Sequence, residues 1–392
     1  MIFVGIDVAK SKHDCCIISS DGEVLSNSLR IQNSKEGFDL LFSSIVSSLP
    51  SNDFSKVKIG LESTGHYSIN ITNYLLSKGF QVTTLNPLST NLFRKAHTLR
   101  KTKTDKTDAL VIASMLFTDE SKSYSPVLYQ IQELKSLTRH RHRLIGYRSK
   151  LKVSVTRLID IIFPELPNYV WSIHQNSSYK LLLEFPTTED LRNAHLTKLT
   201  NLLSSSSNGK YGKDKALILK NLAVSSIGSS NRSLAFELRQ TIRLIQSVQA
   251  EIDELDKQIK LVVDELDSPL MSIPGVSYTL ASIIIAEIGD INRFDTPAKL
   301  LAFAGMEPST YQSGNYNASK TPMVKRGSTY LRWAVMQASR LVAIRDTTFN
   351  LYLKKKRSEG KHYLVAINHV GKKLMRVMYY LLRSDTKFSV QA

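Results

Sequence analysis

The 392-residue chain has only two cysteines, and they are neighbours, Cys15 and Cys16. Adjacent thiols on an alternating strand point to opposite faces, which excludes a disulfide framework and a four-cysteine zinc site. Long apolar runs are also missing. The longest, Leu280 to Ile288, is less than half of the roughly 20 residues that a helix needs to cross a bilayer. Asp7 interrupts the apolar start that a signal peptide would require. These absences predict a soluble, reduced, cytoplasmic protein, and no membrane partner is expected because the basic clusters at Arg94 to Lys106 and Lys320 to Arg326 flank acidic and serine motifs. Acidic residues are scarce beside basic ones: 34 Asp and Glu against 52 Lys and Arg leave a formal net charge of +18. Such a surplus favours a polyanionic partner, because clustered cations displace counterions from phosphates. What is present in quantity is apolar: 42% hydrophobic residues suffice for real cores and exclude disorder throughout. The length favours two or three domains over one.

The order of elements is informative. Ile2 to Val8, His13 to Ser19 and Val24 to Arg30 read as three strands, with Ser20-Asp21-Gly22 as the turn between the last two. A helix over Lys35 to Ser48, a strand over Val57 to Leu61, a helix over His66 to Lys78, a strand over Phe80 to Leu85 and a helix over Asp105 to Phe117 follow. Three meandering strands followed by alternating helix and strand predict a mixed α/β sheet of the ribonuclease H type over residues 1–122. From Ile131 the pattern turns to long helices. Leu134, Leu137, Leu144, Leu151, Val155, Leu158 and Ile162 form one three-four repeat, broken at Arg141 and Arg148. A second runs from Leu234 to Leu266, broken at Thr241. These read as coiled-coil seams over residues 123–268, able to pair within one chain or between chains. Residues 166–232, with serine runs at Ser204 to Ser207 and Ser225 to Ser230, read as a small insert with mobile loops. Residues 269–392 read as a mainly helical domain ending in a basic tail.

The candidate chemistry begins with carboxylates. Asp7 lies near the end of the first strand among Val4, Ile6 and Val8, and Glu62 follows the strand Val57 to Leu61. A carboxylate in apolar surroundings needs a partner or a metal, and in a ribonuclease H order the two strands are neighbours. Asp105 and Asp108 share one face of a helical first turn, where helix capping would also explain them. Together the four acids make an oxygen-ligand set suited to two Mg²⁺ ions, with Mn²⁺ as a substitute. Arg94, Lys95, Arg100, Lys101, Lys103 and Lys106 surround the aspartate pair, as expected for a phosphate-rich substrate. Further on, Ile273-Pro274-Gly275-Val276 has helix-hairpin-helix spacing, which makes Gly275 a candidate phosphate contact or simply a turn residue. Ser313 lies beside Gly314 in a polar stretch, followed by the cations Lys320, Lys325 and Arg326.

Five motifs, Gly5-Ile6-Asp7-Val8-Ala9-Lys10, Leu61-Glu62-Ser63-Thr64-Gly65-His66-Tyr67, Lys103-Thr104-Asp105-Lys106-Thr107-Asp108-Ala109, Ile273-Pro274-Gly275-Val276 and Tyr311-Gln312-Ser313-Gly314, occur in this order. The chain resembles the insertion sequence 110 family of bacterial transposases through them, from Phe3 to about Ala343. The resemblance implies a RuvC-like domain in which Asp7, Glu62, Asp105 and Asp108 hold the metal, and a C-terminal domain in which Ser313 is the nucleophile. It further implies attack of Ser313 on a DNA phosphate, a structured guide RNA encoded by the element, and donor and target DNA as partners. Active sites composed between protomers of a dimer or tetramer follow from it too, as does a bacterial, nucleoid-associated location. Ser313 is then expected to lie far from Asp7 within one chain. Two other readings stay open: a RuvC-like junction nuclease that hydrolyses DNA with the acids alone, and a non-catalytic nucleic-acid-binding scaffold.

Overall fold

The computed structural model describes residues 1–50, 53–62, 66–85, 87–97, 105–118, 129–309, 312–313, 316–317 and 322–389. The chain divides into two compact units, Met1–Leu128 and Tyr129–Ala392.

In the first unit, β1 (Ile2–Val8), β2 (Lys12–Ser19), β3 (Val24–Gln32), β4 (Val57–Glu62) and β5 (Gln81–Leu85) form one sheet in the order β3-β2-β1-β4-β5. The β1–β2 and β2–β3 pairs are antiparallel, whereas β1–β4 and β4–β5 are parallel. A mixed α/β sheet is therefore what the element order predicts and what forms. Period-two alternation gives the sheet two apolar faces. Val4, Ile6, Cys15 and Ile17 pack with Phe38, Leu41 and Ile45 of α1 (Lys35–Ser47) and Ile71 and Leu75 of α2 (Ser68–Ser77). Phe3, Cys16 and Ile18 face the other way. After α3 (Pro87–His97) comes α4 (Asp105–Thr118), whose Ala109, Ala113 and Leu116 cover that second face. The adjacent cysteines thus enter opposite cores, both as free thiols.

Helix α4 lies unusually close to β1. A Cβ on Gly5 would sit 2.1 Å from the Ala109 carbonyl oxygen and 2.4 Å from the Ala113 nitrogen, so glycine on the strand and alanines on the helix permit the approach. The α3 helix was not among the expected elements. Its apolar residues do not all turn inward, since Leu92 is exposed while Thr90 is buried.

The second unit is helical. Helices α5 (Tyr129–Ile162) and α10 (Arg232–Leu266) pair antiparallel within the chain. The two arginines that break the first apolar repeat join the helices, whereas Thr241, which breaks the second, bonds within its own helix. Arg141 forks onto Asp256, with Nη2 to Oδ2 at 2.9 Å, and Arg148 donates to Gln249. Arg157 adds a 2.6 Å contact to Glu237, and Thr241 turns its hydroxyl to the Glu237 carbonyl at 2.8 Å. Between them, α6 (Asn176–Glu184), α7 (Thr188–Asn193), α8 (Leu196–Ser206) and α9 (Lys213–Ser225) form a small bundle. Its core is shared with Val155, Leu158, Ile162, Leu238, Ile242 and Ile245.

Of the serine runs expected as mobile loops, Ser204 to Ser206 form the end of α8, and the second run ties back to α5 and the residues that follow it. Ser226 bonds Glu165 at 2.6 Å, and the Ser229 amide donates to the Ile161 carbonyl at 2.9 Å. At the other end of the long pair, α11 (Tyr278–Ile288), α12 (Pro297–Phe303), α13 (Thr329–Arg345), α14 (Thr347–Ser358) and α15 (Tyr363–Ser384) share a core with Leu134, Ile259 and Val263. The basic stretch beyond Arg345, read as a tail, is these last two helices. No helix among the described residues is long and apolar enough to cross a membrane.

Candidate active site

Asp7 and Glu62 are brought together by register. The parallel β1–β4 pairing ends at Ile6 beside Leu61, so the next residues, Asp7 and Glu62, stand side by side at the carboxyl ends of the two strands. Both fall on the face covered by α4, as alternation from Phe3 and Gly5 and from Gly60 requires. Helix α4 runs opposite to β1: Phe117 meets Phe3 with ring centroids 5.6 Å apart, while Ala109 lies over Gly5. Its first turn, with Asp105 and Asp108, therefore lies toward Asp7. The side chain of Asp105 is outside the described part of the structure. Among the described residues, no three acids, histidines or cysteines gather tightly enough to hold a metal ion.

Two arginines pair with carboxylates of this unit, one with Asp108 and one with a further acid, Asp14. Arg94 of α3 sets Nη2 3.0 Å from the Asp108 carboxylate, and both side chains are largely buried. Sequence reading placed Arg94 among surface phosphate contacts; the structure gives it a carboxylate of the candidate metal set. Asp14 was not foreseen. It lies directly opposite Asp7 across the β1–β2 ladder, is buried, and takes the fork of Arg30 at 3.0 and 3.3 Å. Strand pairing with constant residue sum would have found it, since Asp7 and Asp14 flank the same short turn. Burial, with the charges of Asp14 and Asp7, pushes the Cys15 thiol far above its usual range, and burial lifts Cys16 to about 11.

The donors present are carboxylate oxygens, the type that hard divalent cations prefer, and a cationic guanidinium already sits on one of them. The set fits Mg²⁺ or Mn²⁺ better than zinc, because His13 lies on the other face, stacked on Phe38.

Ser313 belongs to β6 (Gln312–Ser313), which pairs with β7 (Tyr316–Asn317). Ser313 is opposite Tyr316, leaving two residues, Gly314 and Asn315, between the strands. The Ser313 side chain is not among the described atoms. The root of this ribbon is well defined. The Ser309 amide donates to the Pro322 carbonyl at 2.8 Å, Val324 to Glu307 at 3.0 Å and Lys325 to Gly305 at 3.1 Å. Arg332 bonds the Ala304 and Lys325 carbonyls.

Beneath the root lies Glu287, 2% exposed, gripped by Arg139 at 2.8 and 3.1 Å and by the Ser328 hydroxyl at 2.8 Å. Burial pushes the Glu287 carboxyl up, but Arg139, Lys135 and Ser328 together hold it below the usual range.

The remaining sequence-predicted contacts divide. Lys95, Lys325 and Arg326 are exposed. Gly275 has a packing reason: with φ +90° and a would-be Cβ 2.9 Å from the Leu341 carbonyl carbon, it lets the turn meet the backbone of α13. Arg100, Lys101, Lys103 and Lys320 lie outside the described residues, as does the side chain of Lys106.

Residues 4–164 match the model of the IS110-type DEDD transposases, and residues 267–354 match the transposase IS116/IS110/IS902 family. The chain belongs to the IS110 family of transposases. Relatives match this transposase along its length. An uncharacterized 44.8 kDa protein of insertion element IS116 from Streptomyces clavuligerus is 24% identical over 99% of this chain and 96% of its own. The mini-circle putative transposase for IS117 from Streptomyces coelicolor is 23% identical over 100% and 96%. A pilin gene-inverting protein from Moraxella bovis is 22% identical over 98% and 97%.

Proposed function

We propose that this transposase cuts and rejoins DNA through a phosphoserine at Ser313, assisted by Mg²⁺ held by Asp7, Glu62, Asp105 and Asp108. The observation that carries the reading is the placement of Asp7 and Glu62 on adjacent parallel strands, facing the helix turn that bears Asp108. The strand order β3-β2-β1-β4-β5, with β2 alone antiparallel to both neighbours, supports a ribonuclease H-type, RuvC-like sheet.

In the proposed step the Ser313 Oγ attacks phosphorus and loses its proton to solvent. The bond to O3′ breaks, that oxygen takes up a proton as a 3′-hydroxyl, and the 5′-phosphate stays on the serine. A 3′-hydroxyl of another strand then attacks the phosphoserine, re-forms the diester and returns the serine, so bond number and charge balance. Bound Mg²⁺, or Mn²⁺ in its place, supplies charge neutralisation at the phosphate. Backbone bonds pin the root from which the Ser313 segment departs, and Arg94 holds Asp108 in position. Composite sites in a dimer or tetramer and an element-encoded guide RNA complete the proposal, supported by the family membership and the cationic surplus.

The test is a gel assay for a detergent-stable protein–DNA adduct with donor and target DNA and Mg²⁺. Adduct from the native protein and none from Ser313→Ala or Asp108→Asn is the expected result. Strand cleavage by Ser313→Ala at the native rate would replace this reading with the junction nuclease. Sequencing of RNA recovered with the purified protein tests guidance: a transcript flanking the coding region is expected.

A further inference from the structure

The cationic surplus is not evenly spread. Residues 347–383 hold nine Lys and Arg against one acid, Glu359, and most of this stretch lies beyond the part matched to the family. On α15, His369, Lys372, Lys373 and Arg376 follow helical spacing and form one stripe, opposite the buried Val370, Leu374, Met375 and Met378. The stripe continues onto α14. Lys373 lies over the rings of Phe349 and Tyr352, 5.3 and 5.0 Å from their centroids, and Lys356 is 5.5 Å from the Tyr352 ring.

Glu359 is already engaged by Lys356 at 2.8 Å and Lys361 at 2.9 Å. Among the described residues, Lys372, Lys373 and Arg376 make no ion pair with a carboxylate. Like charges held together on rigid helices, with Glu359 already engaged, repel one another until an anion arrives. A row of such charges fits a row of phosphates.

We propose that the α14–α15 face, centred on Lys372, Lys373 and Arg376, holds the phosphodiester backbone of duplex DNA. This rests on the reading of the protein as a DNA transposase and adds to it a surface remote in sequence from both the acids and Ser313. The environment of His369 agrees. Burial first, then Lys372 of its own helix, Lys356 of α14 and Lys361 of the turn, hold its pKa below the ordinary value, against the weaker opposing effect of Glu359. A bound phosphate reverses the sign of that field, so DNA binding takes up a proton at His369.

The experiment is fluorescence anisotropy of full-length protein with a random-sequence DNA duplex across a salt series. Lys372→Gln/Arg376→Gln spares the lysine that covers the aromatic rings, and circular dichroism confirms its fold. The double variant is expected to bind at least tenfold more weakly near 0.1 M salt, with a log–log salt slope shallower by about 2. The strengthening of native binding from pH 8 to pH 6 should be smaller in His369→Gln. Native affinity and slope in the double variant would overturn the proposal while leaving the transposase reading intact. A loss confined to structured RNA, with duplex binding unchanged, would overturn it too. Failure of the native protein to bind any duplex would count against the transposase reading itself.

Discussion

Asp108 and Arg94 make a pair that is expensive to break. Only 18% of the arginine side chain and 7% of the aspartate remain exposed, so Arg94→Met leaves a charge in a poorly solvated place. Removing one member of a buried pair costs about 3–5 kcal/mol, and the low end is expected here. Mg²⁺ should restore much of the loss if Asp108 is a cation ligand. Melting temperature against MgCl₂ will therefore rise more steeply in Arg94→Met than in the native protein, and parallel responses would remove Asp108 from the ligand set. The cysteines test the sheet from both sides. The Cys16 thiol, raised by burial to about 11, and Cys15, raised further, stay protonated at pH 8. Neither should be alkylated by iodoacetamide in the native state, and both should react in denaturant, as read by mass spectrometry. The sign for stability follows. The unfolded thiols lose protons near 9, the folded ones later, so stability falls as pH rises above 9.

At the level of elements, the long antiparallel pair of α5 and α10 shows why broken repeats carry information. Arg141 and Arg148 interrupt an apolar stripe, and each finds its partner, Asp256 or Gln249, on the facing helix. Arg141→Asp should destabilise the second unit by about 1–3 kcal/mol, and adding Asp256→Arg should recover part of that. A double-mutant cycle by urea unfolding measures the coupling; none would mean that the pairing lies elsewhere. Sequence pattern made the five strands and the helices α1, α2, α4, α5 and α10 legible, because their apolar residues recur at strand or helix spacing, whereas α6 to α9 were read only as an insert. It missed α3, where a threonine is buried and Leu92 exposed, and it took α14 and α15 for a tail on their lysine content alone, although Val370, Leu374 and Met378 of α15 follow helical spacing opposite the basic face. Asp7 and Glu62 were legible as acids at the ends of apolar strands, and Asp108 by its three-residue spacing from Asp105 in a helical first turn. The counter-charge of Asp108 was not, nor was the neighbouring Asp14–Arg30 pair, since Arg94 and Arg30 sit in different elements from their acids and only helix packing and strand pairing reveal them.

For the whole molecule, the two units have separate cores and should unfold in two calorimetric transitions. Gly5→Ala forces a methyl into the backbone of α4, and overpacking of this kind costs about 1–3 kcal/mol. It should lower one transition only. Arg139→Met leaves Glu287 buried without its fork and should lower the other, by roughly 3 kcal/mol because Arg139 itself is part-exposed. A single transition moved by both changes would show that the units melt as one. The long helices α5 and α10 also act as a ruler. A helix of 34 residues spans about 50 Å, with the bundle of α6 to α9 built on one end and the core below the Ser313 ribbon on the other. Deleting residues 142–148 together with the facing 249–255 removes two turns from each helix and keeps Arg141 against Asp256. The chain so shortened by about 10 Å is expected to keep its helical circular dichroism and lose only reach, which separates what this transposase must hold from how far apart it must hold it.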